Sequence, residues 1–293
     1  LVIRINSDEK IRSVSIDVTE YLDVEGKSQA IAYGKLLELK QSDQLDNPDH
    51  MVTLDKKSRI PCLNKVAVTL AGIQLGDVNK LLYNFWEMAN NCFDLIQRAE
   101  GQAVHYSGMS YVTPYQNGNG LLAKEASARL NNINHGVKHG VAVHRMGDFN
   151  CNIYSGEHVH ENGTLITPNE KDNLAAILCF IEDDSFPIEL RKLNQKMSIT
   201  PSFFGQIPFD LAHWTNVSEE KYPNGLPQPY SNDPIQWVFH GHPCASVIWD
   251  DKAKSTAIND LRQDDTVLQV ALARLLGYRW PAELDPEMEL APE

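Results

Sequence analysis

The sequence predicts an α+β fold in which a strand-rich unit is followed by a pair of helices and then by a smaller, mostly helical segment. Short β-rich runs occupy residues 141–146, 152–155 and 163–167, and glycine and asparagine separate them, which is typical of strands joined by tight turns. In residues 172–181 the spacing of the apolar residues changes to that of a helix. Helical spacing returns in residues 266–276, where Gly277 marks the stop.

Two adjacent helices are predicted after the strands. The apolar residues of the first helix fall on one face: Leu174, Ile177, Leu178 and Ile181. The second helix is predicted for residues 186–197, with Pro187 in the first turn, where its missing N–H costs nothing. Its predicted buried side consists of Ile188, Leu193 and Met197.

The segments before these elements carry weaker patterns. Residues 13–18 and 66–70 alternate as strands do, and residues 29–40 have the spacing of a short helix. By periodicity alone, the apolar residues from 78 to 96 make one long amphipathic helix, for which Asp77 suits the N-cap. Residues 102–134 are predicted to be rich in loops.

The bulk composition indicates a cytoplasmic protein without a membrane segment. No apolar run in the 293 residues approaches the roughly 20 needed to span a bilayer. The five cysteines are scattered and include no C-x-x-C pair, which indicates reduced thiols. The sequence begins with Leu rather than Met, so we expect it to belong to a longer polypeptide.

The net charge of −13 weighs against a chain that binds nucleic acid over its whole surface. The charge is uneven, however. Residues 201–293 contain 6 basic and 14 acidic residues, whereas residues 124–200 contain 8 basic and 10 acidic residues and five histidines. A local basic face is therefore compatible with the sequence.

Three strings follow one another between Lys138 and Trp214: KHGVAVHRMGDFNCNIYSGE, TLITPNEKDNLAAILCFI and LRKLNQKMSITPSFFGQIPFDLAHW. In this order they resemble the target-recognition region of large bacterial adenine-N6 DNA methyltransferases of the restriction-modification and phage-defence type. The positions that match the family's K-x-x-[VI]-T…[VI]-P-F-D-L motif are Lys196, Ile199, Thr200, Ile207, Pro208, Phe209, Asp210 and Leu211. The likeness continues into YPNGLPQPYSNDPIQWVFHGHP and VALARLLGYRWPAELDPEMEL.

The resemblance implies an organisation and a set of partners. Residues 1–60 connect to the methyltransferase core, residues 61–211 form the target-recognition domain, and residues 212–293 form a proline-rich linker and a helical segment. Because AGIQLGDVNKL is similar to another family element, the helix after Asp77 is implied to end near Glu87. The implied partners are double-stranded DNA, the methyltransferase core of the same polypeptide and proteins of a defence system.

The DNA-reading residues are predicted at the exit of the second helix and on the strands facing it. Asparagine and glutamine can pair with adenine in a bidentate manner, arginine can pair with guanine, and lysine binds phosphate. The predicted DNA-binding residues are Lys138, His144, Arg145, Asn194, Gln195, Lys196, Ser198 and Thr200.

The chain lacks the strings that the chemistry requires. Adenine methyltransferases use an [ND]-P-P-[YF] loop to hold the flipped base. The nearest string, Asn-Pro-Asp-His at residues 47–50, has neither the second proline nor the aromatic residue. The resemblance therefore implies that the parent enzyme uses S-adenosylmethionine, while this chain alone binds no cofactor and is not an enzyme.

Two other functions stay open on the sequence. His158 and His160, two residues apart on a strand, share a face and resemble the H-x-H of a cupin-type metal enzyme, but Glu161 is too close to complete that motif. The other alternative is a scaffold that binds a protein of a defence system through the acidic last third of the chain.

Overall fold

The structure, a computed structural model, describes the chain in several stretches. Its main part consists of residues 60–88, 93–99, 105–133, 136–228 and 265–284. Shorter stretches are residues 12–15, 18, 21, 23–34, 37–40, 247–250, 252–253, 255–258 and 286. The Asn-Pro-Asp-His string at residues 47–50 lies outside the described residues. His240 and His242, the candidates for the second histidine motif that a cupin-type site would need, lie outside them as well.

Helices and strands are both present along the described residues. In order they are β1 (Arg12–Ser15), α1 (Val24–Tyr33), β2 (Leu37–Lys40), β3 (Ala67–Ala71), α2 (Val78–Leu81), β4 (Tyr83–Asn84), β5 (Asp94–Gln97), β6 (Tyr111–Thr113), α3 (Leu121–Lys124), β7 (Gly140–His144), β8 (Cys151–Tyr154), β9 (His158–Val159), β10 (Gly163–Pro168), α4 (Leu174–Ile181), α5 (Ser185–Leu193), α6 (Pro201–Phe204), α7 (Leu211–Lys221), β11 (Val247–Asp250), β12 (Ser255–Ile258), α8 (Asp265–Leu275) and α9 (Pro281–Leu284). The α+β class is confirmed.

The first described elements differ from the prediction. Helix α1 begins early because Asp23 caps it: the carboxylate accepts the Gly26 N–H at 2.6 Å. The chain then returns as β2, which pairs antiparallel with β1. The helix predicted for residues 29–40 is therefore wrong in its bounds, and its last four residues form a strand.

An antiparallel sheet in the order β3-β10-β7-β8 is the centre of the main part. All of β8 is buried, as are all residues of β7 and β10 except the last of each. Helices α4, α5 and α6 pack on one face, while Val159 of β9 packs with Tyr154 and Leu165 on the other. The four strands predicted in this region are confirmed to within two residues.

Helix α4 is buried on nearly all sides. It lies between the sheet and α7, so Cys179 and Phe180 are buried together with the four apolar residues that the period predicted. The Phe180 ring contacts Trp214 of α7, with ring centroids 5.3 Å apart. The predicted helix is confirmed, but its apolar surface extends beyond the single predicted face.

Helix α5 presents a different face from the predicted one. Phe186 and Leu190 are completely buried, and Leu193 is partly buried, whereas Ile188 is 57% exposed and Met197 is 81% exposed. Phe186 and Leu190 share a face because they are four residues apart, and Ile188 lies opposite them. The helix ends at Leu193, so Met197 belongs to the following loop. The burial predicted for Ile188 and Met197 is wrong.

A second sheet, in the order β4-β6-β5-β9, lies beside the first. Helix α2, capped by Asp77 as predicted, has only four residues. Phe85 and Trp86 then turn inward in a 3-10 turn, so the long helix predicted for residues 78–96 is wrong. Strand β6 lies in the predicted loop region, because three residues are too few to show a period.

The last described helices pack on this second sheet. Val270, Ala273 and Trp280 are buried against Phe85 and Trp86. Helix α8 matches the predicted helix to within one residue, and Gly277, with a positive φ of 90°, follows it at the predicted stop. The spacing predicts an inward face that includes four leucines, and this is wrong, because Leu268, Leu272, Leu275 and Leu276 are exposed. Within the described residues, no helix combines the length and apolarity needed to cross a membrane.

Candidate nucleic-acid interface

Three segments meet at one end of the central sheet. They are the turn after β7, the turn between β9 and β10, and the segment of residues 194–200 after α5, which we call the exit loop. The Arg145 backbone joins all three: its N–H donates to the Asn162 carbonyl at 3.0 Å, and its carbonyl accepts the Ile199 N–H at 3.0 Å. The predicted proximity of Arg145 to the exit loop is therefore confirmed.

The Arg145 side chain strengthens the same junction. Its Nε donates to the Ile199 carbonyl at 2.9 Å, and one terminal nitrogen donates to the Glu161 carbonyl at 3.1 Å. Hydrogen bonds from a charged donor are each worth about 1.5–3 kcal/mol. The guanidinium is half-buried, so these bonds fix the exit loop to the sheet.

A second arginine holds the other side of the exit loop. Arg191 of α5 donates from a terminal nitrogen to the Lys196 carbonyl at 2.5 Å, and its guanidinium carbon lies 4.6 Å from the centre of the Phe149 ring. Asn194 forms a local turn by accepting the Lys196 N–H on its Oδ1 at 2.9 Å. The loop is therefore held at two points, near Lys196 and at Ile199.

One side chain anchors the exit loop in the core, and most of the others are exposed. Ile199 is completely buried, whereas the neighbouring Gln195, Lys196, Ser198 and Thr200 are exposed. Pro201 begins α6 directly afterwards, so Thr200 occupies an N-cap position. Four of the predicted DNA-binding side chains thus project from one short, anchored loop.

The other predicted residues occupy different positions. His144 ends β7 beside Arg145, and its Nδ1 lies 2.8 Å from the Met146 carbonyl oxygen. Asn194 is half-buried in its local turn. Lys138 is exposed but precedes β7, so a strand of five residues separates it from Arg145. At about 3.3 Å per residue, Lys138 lies far from the exit loop.

The segments that meet at the exit loop are close to neutral. Residues 145–150, 160–162 and 185–200 contain four cations, Arg145, Arg191, Lys192 and Lys196, and three carboxylates, Asp148, Glu161 and Glu189. Glu189 pairs with Lys192 at 2.8 Å. This part is less acidic than the whole chain, whose net charge is −13, and the local basic face stays a prediction.

A groove of about 540 Å³ adjoins Arg191 on the side of the α4–α5 turn. Its lining includes the carboxylates of Asp148, Glu182, Asp183 and Asp184. Arg191 and Lys221 line the same groove, and Lys221 pairs with Glu182, so its charge is mixed with an acidic excess. Burial raises the pKa of Cys151 in the groove wall to about 12, which keeps that thiol protonated and unreactive.

A charged network beside the groove gave no signal in the sequence. The Glu182 carboxylate contacts His105 Nε2 at 3.2 Å and Lys221 Nζ at 2.7 Å, and the Tyr222 hydroxyl lies 3.1 Å from the same histidine nitrogen. Burial opposes ionisation of Glu182, but hydrogen bonds from His105 and Lys221 outweigh it and lower the carboxyl pKa. The network joins the ends of α4 and α7 to the segment that contains His105.

The histidines of the metal alternative do not share a site. His160 is buried and accepts the Asn162 N–H on Nδ1 at 3.2 Å, while the His158 ring packs edge-on against Tyr115 with centroids 5.2 Å apart. Among the described residues, no group of three or more His, Cys, Asp or Glu side chains is arranged to hold a metal ion.

Comparison with known proteins adds no family. No family model matches the chain, and no curated protein matches it. The functional argument therefore depends on the exit loop and on the motif that the sequence carries.

Proposed function

We propose that this chain is the DNA sequence-recognition module of an S-adenosylmethionine-dependent adenine-N6 DNA methyltransferase of a restriction-modification or phage-defence system. The observation that carries the proposal is the exit loop, in which polar side chains project from a base anchored by Arg145 and Arg191. Base reading requires donors and acceptors held in a fixed position, and the two arginines supply that rigidity.

Each exposed side chain of the loop suits a different DNA group. The Gln195 amide matches the N6 and N7 atoms of an adenine in the major groove. Lys196 suits a backbone phosphate, and the hydroxyls of Ser198 and Thr200 suit either a base edge or a phosphate. In this division of roles, Gln195 specifies sequence and Lys196 supplies affinity.

The methylation chemistry belongs to the rest of the parent polypeptide. The parent transfers a methyl group from S-adenosylmethionine to adenine in the cytoplasm, and this module selects the adenine. Because the chain lacks the [ND]-P-P-[YF] string, we expect it alone neither to bind the cofactor nor to methylate DNA. Stoichiometric binding of S-adenosylmethionine to the isolated chain in calorimetry would contradict this assignment.

Sequencing of methylated adenines in cells that express the full-length protein tests the proposal. The Gln195→Ala variant is expected to lose roughly 1–3 kcal/mol of discrimination at one base position and so to methylate a relaxed motif. Lys196→Ala, the matched control in the same loop, is expected to reduce methylation of all sites about equally. An unaltered motif and unaltered occupancy in the Gln195→Ala variant would place the reading surface elsewhere.

A scaffold function is the second candidate, because two surfaces suit a protein partner. One is the acidic groove beside the α4–α5 turn. The other is the outer face of α8, where four leucines are exposed: Leu268, Leu272, Leu275 and Leu276. Binding to duplex DNA that does not change with salt concentration, or no binding at all, would favour the scaffold.

A further inference from the structure

Residues 160–162, which we call the joining turn, connect the two large sheets. The turn follows β9 of the second sheet and leads directly into β10 of the central sheet. Asn162 holds it on both sides. Its side-chain Nδ2 donates to the Ala99 carbonyl at 3.0 Å, and its backbone carbonyl accepts the Arg145 N–H at 3.0 Å. The joining turn therefore links the end of β5 to the arginine that anchors the exit loop.

A buried imidazole closes the joining turn. His160 is 5% exposed, and its Nδ1 accepts the Asn162 N–H at 3.2 Å. A ring nitrogen that accepts a hydrogen bond carries no proton, so the single proton of the neutral ring is on Nε2. Nε2 is buried and has no hydrogen-bond partner among the described residues. The closed turn therefore suits the neutral form of the ring.

A second proton on the ring is incompatible with the closed turn. Nδ1 would become a donor and would face the Asn162 N–H, which is also a donor. The Asn162 Oδ1 lies 3.1 Å from Nδ1 and can accept the new proton, but the bond that closes the backbone of the turn would still be lost. The ring would also carry a buried charge with no acceptor at Nε2, which costs far more than an unpaired neutral donor.

The surroundings of the ring do not compensate such a charge. The titratable side chains of the neighbouring elements are Arg98 after β5, Tyr111 and Tyr115 on and after β6, His158 on β9, Glu161 in the turn itself and Arg145 after β7. Residues 72–74, which pair with the turn, carry none. Burial and the positive charge of Arg98 lower the pKa of His160 to about 4, and within the described part of the chain no carboxylate offsets them.

We propose that the joining turn is an acid-sensitive clip, in which a proton on His160 opens the turn and withdraws the Glu161 and Asn162 carbonyls from Arg145. Arg145 then keeps only its bonds to the exit loop, so the loop is no longer fixed to the joining turn. In the open turn the ring is solvated and binds protons as an ordinary histidine does, so a falling pH favours opening. The clip holds the exit loop whatever that loop binds, so it goes beyond the proposed function.

Amide hydrogen exchange on the full 293-residue chain, between pH 7 and pH 4.5, tests the clip. NMR resolves the individual amides, and each exchange rate is compared with that of an unstructured chain at the same pH, so that only protection is measured. The reporting amides are those of Asn162 and Arg145, whose acceptors are the His160 ring and the Asn162 carbonyl. The control amide is that of Trp214 in α7, which bonds to the Asp210 carbonyl.

The expected result is a loss of protection that is confined to the clip. Between pH 7 and pH 4.5, protection at Asn162 and Arg145 should fall by roughly 50-fold, because the open ring binds protons more readily than the closed one. Protection at Trp214 should not change. The His160→Gln variant cannot take up the proton and should show no fall, whereas His158→Gln, the matched control on the same strand, should behave as the wild type does.

Three results would overturn the clip. One is constant protection at Arg145 in the wild type, and another is an equal loss at Trp214, which would mean that acid unfolds the whole protein. The third is the same fall at Arg145 in the His160→Gln variant. If that variant does not fold, the wild type decides by its slope, because one proton gives at most a tenfold loss of protection per pH unit. A steeper slope would require several protons and would exclude a clip controlled by His160 alone.

Discussion

Arg145 by itself joins the turn after β7, the turn between β9 and β10, and the exit loop. Its backbone N–H and carbonyl bond to Asn162 and Ile199, and its guanidinium donates to the carbonyls of Ile199 and Glu161. The sequence predicts that this side chain reads guanine, which would require a guanidinium directed at the DNA. The geometry favours a positioning role in which Arg145 holds the loop that contains Gln195.

Replacing Arg145 with Ala tests this positioning role. The variant loses two hydrogen bonds from a charged donor, so we expect the free energy of unfolding to fall by about 2–4 kcal/mol. Methylation should fall at all target sequences together, because the whole loop loses its support. Urea denaturation and methylome sequencing measure the two effects. Unchanged stability with tolerance at one guanine would instead identify Arg145 as a base reader.

His160 makes the stability of the protein depend on pH. Burial is the main cause that lowers the pKa of its imidazole to about 4, with the charge of Arg98 as a second cause. Because the unfolded imidazole has a pKa near 6.5, the unfolded chain binds more protons between these values. Stability is therefore complete above about pH 6.5 and declines as the pH falls towards 4.

The His160→Gln variant should lose that part of the pH dependence. Between pH 7 and pH 4.5, we expect the wild type to lose on the order of 2–3 kcal/mol more stability than the variant. Urea denaturation at several pH values measures the difference, and comparison of the two proteins cancels the other titrating groups. Parallel curves for the two proteins would show that His160 takes up a proton in the folded protein as readily as in the unfolded chain.

At the scale of one element, helix α5 shows how packing decides which face of a helix is buried. Spacing alone allows either the Ile188 side or the Phe186 and Leu190 side to be buried. The sheet and the Phe149 and Phe204 rings select the second, because Phe186 packs with ring centroids 6.3 Å and 6.2 Å from theirs. The start of the exit loop is oriented by this choice.

A pair of substitutions on α5 measures the difference between its faces. Leu190→Ala leaves a cavity beside the aromatic rings and should lower the free energy of unfolding by about 2–5 kcal/mol. Ile188→Ala removes an exposed side chain and should change it by less than about 1 kcal/mol. Thermal or urea denaturation distinguishes them, and equal losses would contradict the observed register.

At the scale of the whole molecule, the local charge near the exit loop differs from the net charge of −13 for the chain. Under the proposed function, DNA binding is restricted to the few places that are less acidic than the rest, because an acidic protein repels DNA over most of its surface. The acidic groove lies close to the exit loop, and Arg191 borders both. The duplex is therefore expected to approach from the loop side alone, with few phosphate contacts.

The salt dependence of DNA binding tests this restricted footprint. Each phosphate that the protein neutralises adds about −0.9 to the slope of log affinity against log salt concentration, so we expect a slope of roughly −2 to −4. Lys196→Ala should make the slope less negative by about 0.9. Lys124→Ala, which removes an exposed lysine of α3, is the control and should leave it unchanged. Equal slopes for wild type and Lys196→Ala would remove that lysine from the interface.

The sequence by itself determined those features that depend on neighbours within a few residues. The strands β3, β7, β8 and β10, the helices α4 and α8, and the Asp77 cap follow from period, glycine placement and local hydrogen bonding, and the sequence predicts them correctly. The elements that it predicts wrongly are short or ambiguous. The α2 region reads as one long helix because its apolar residues satisfy the period although Phe85 and Trp86 turn inward.

Only the tertiary structure decided how distant segments combine. The Arg145 side chain bonds to Ile199, 54 residues later, and the Glu182 network joins Lys221, 39 residues later, to His105. Packing of α5 on the sheet decided that Leu190 is buried and that Met197 projects. These features depend on contacts between elements that are distant in the sequence. The spacing of apolar residues within one segment carries no information about such contacts. A local pattern can therefore name residues of the candidate site, but it cannot predict how they are arranged.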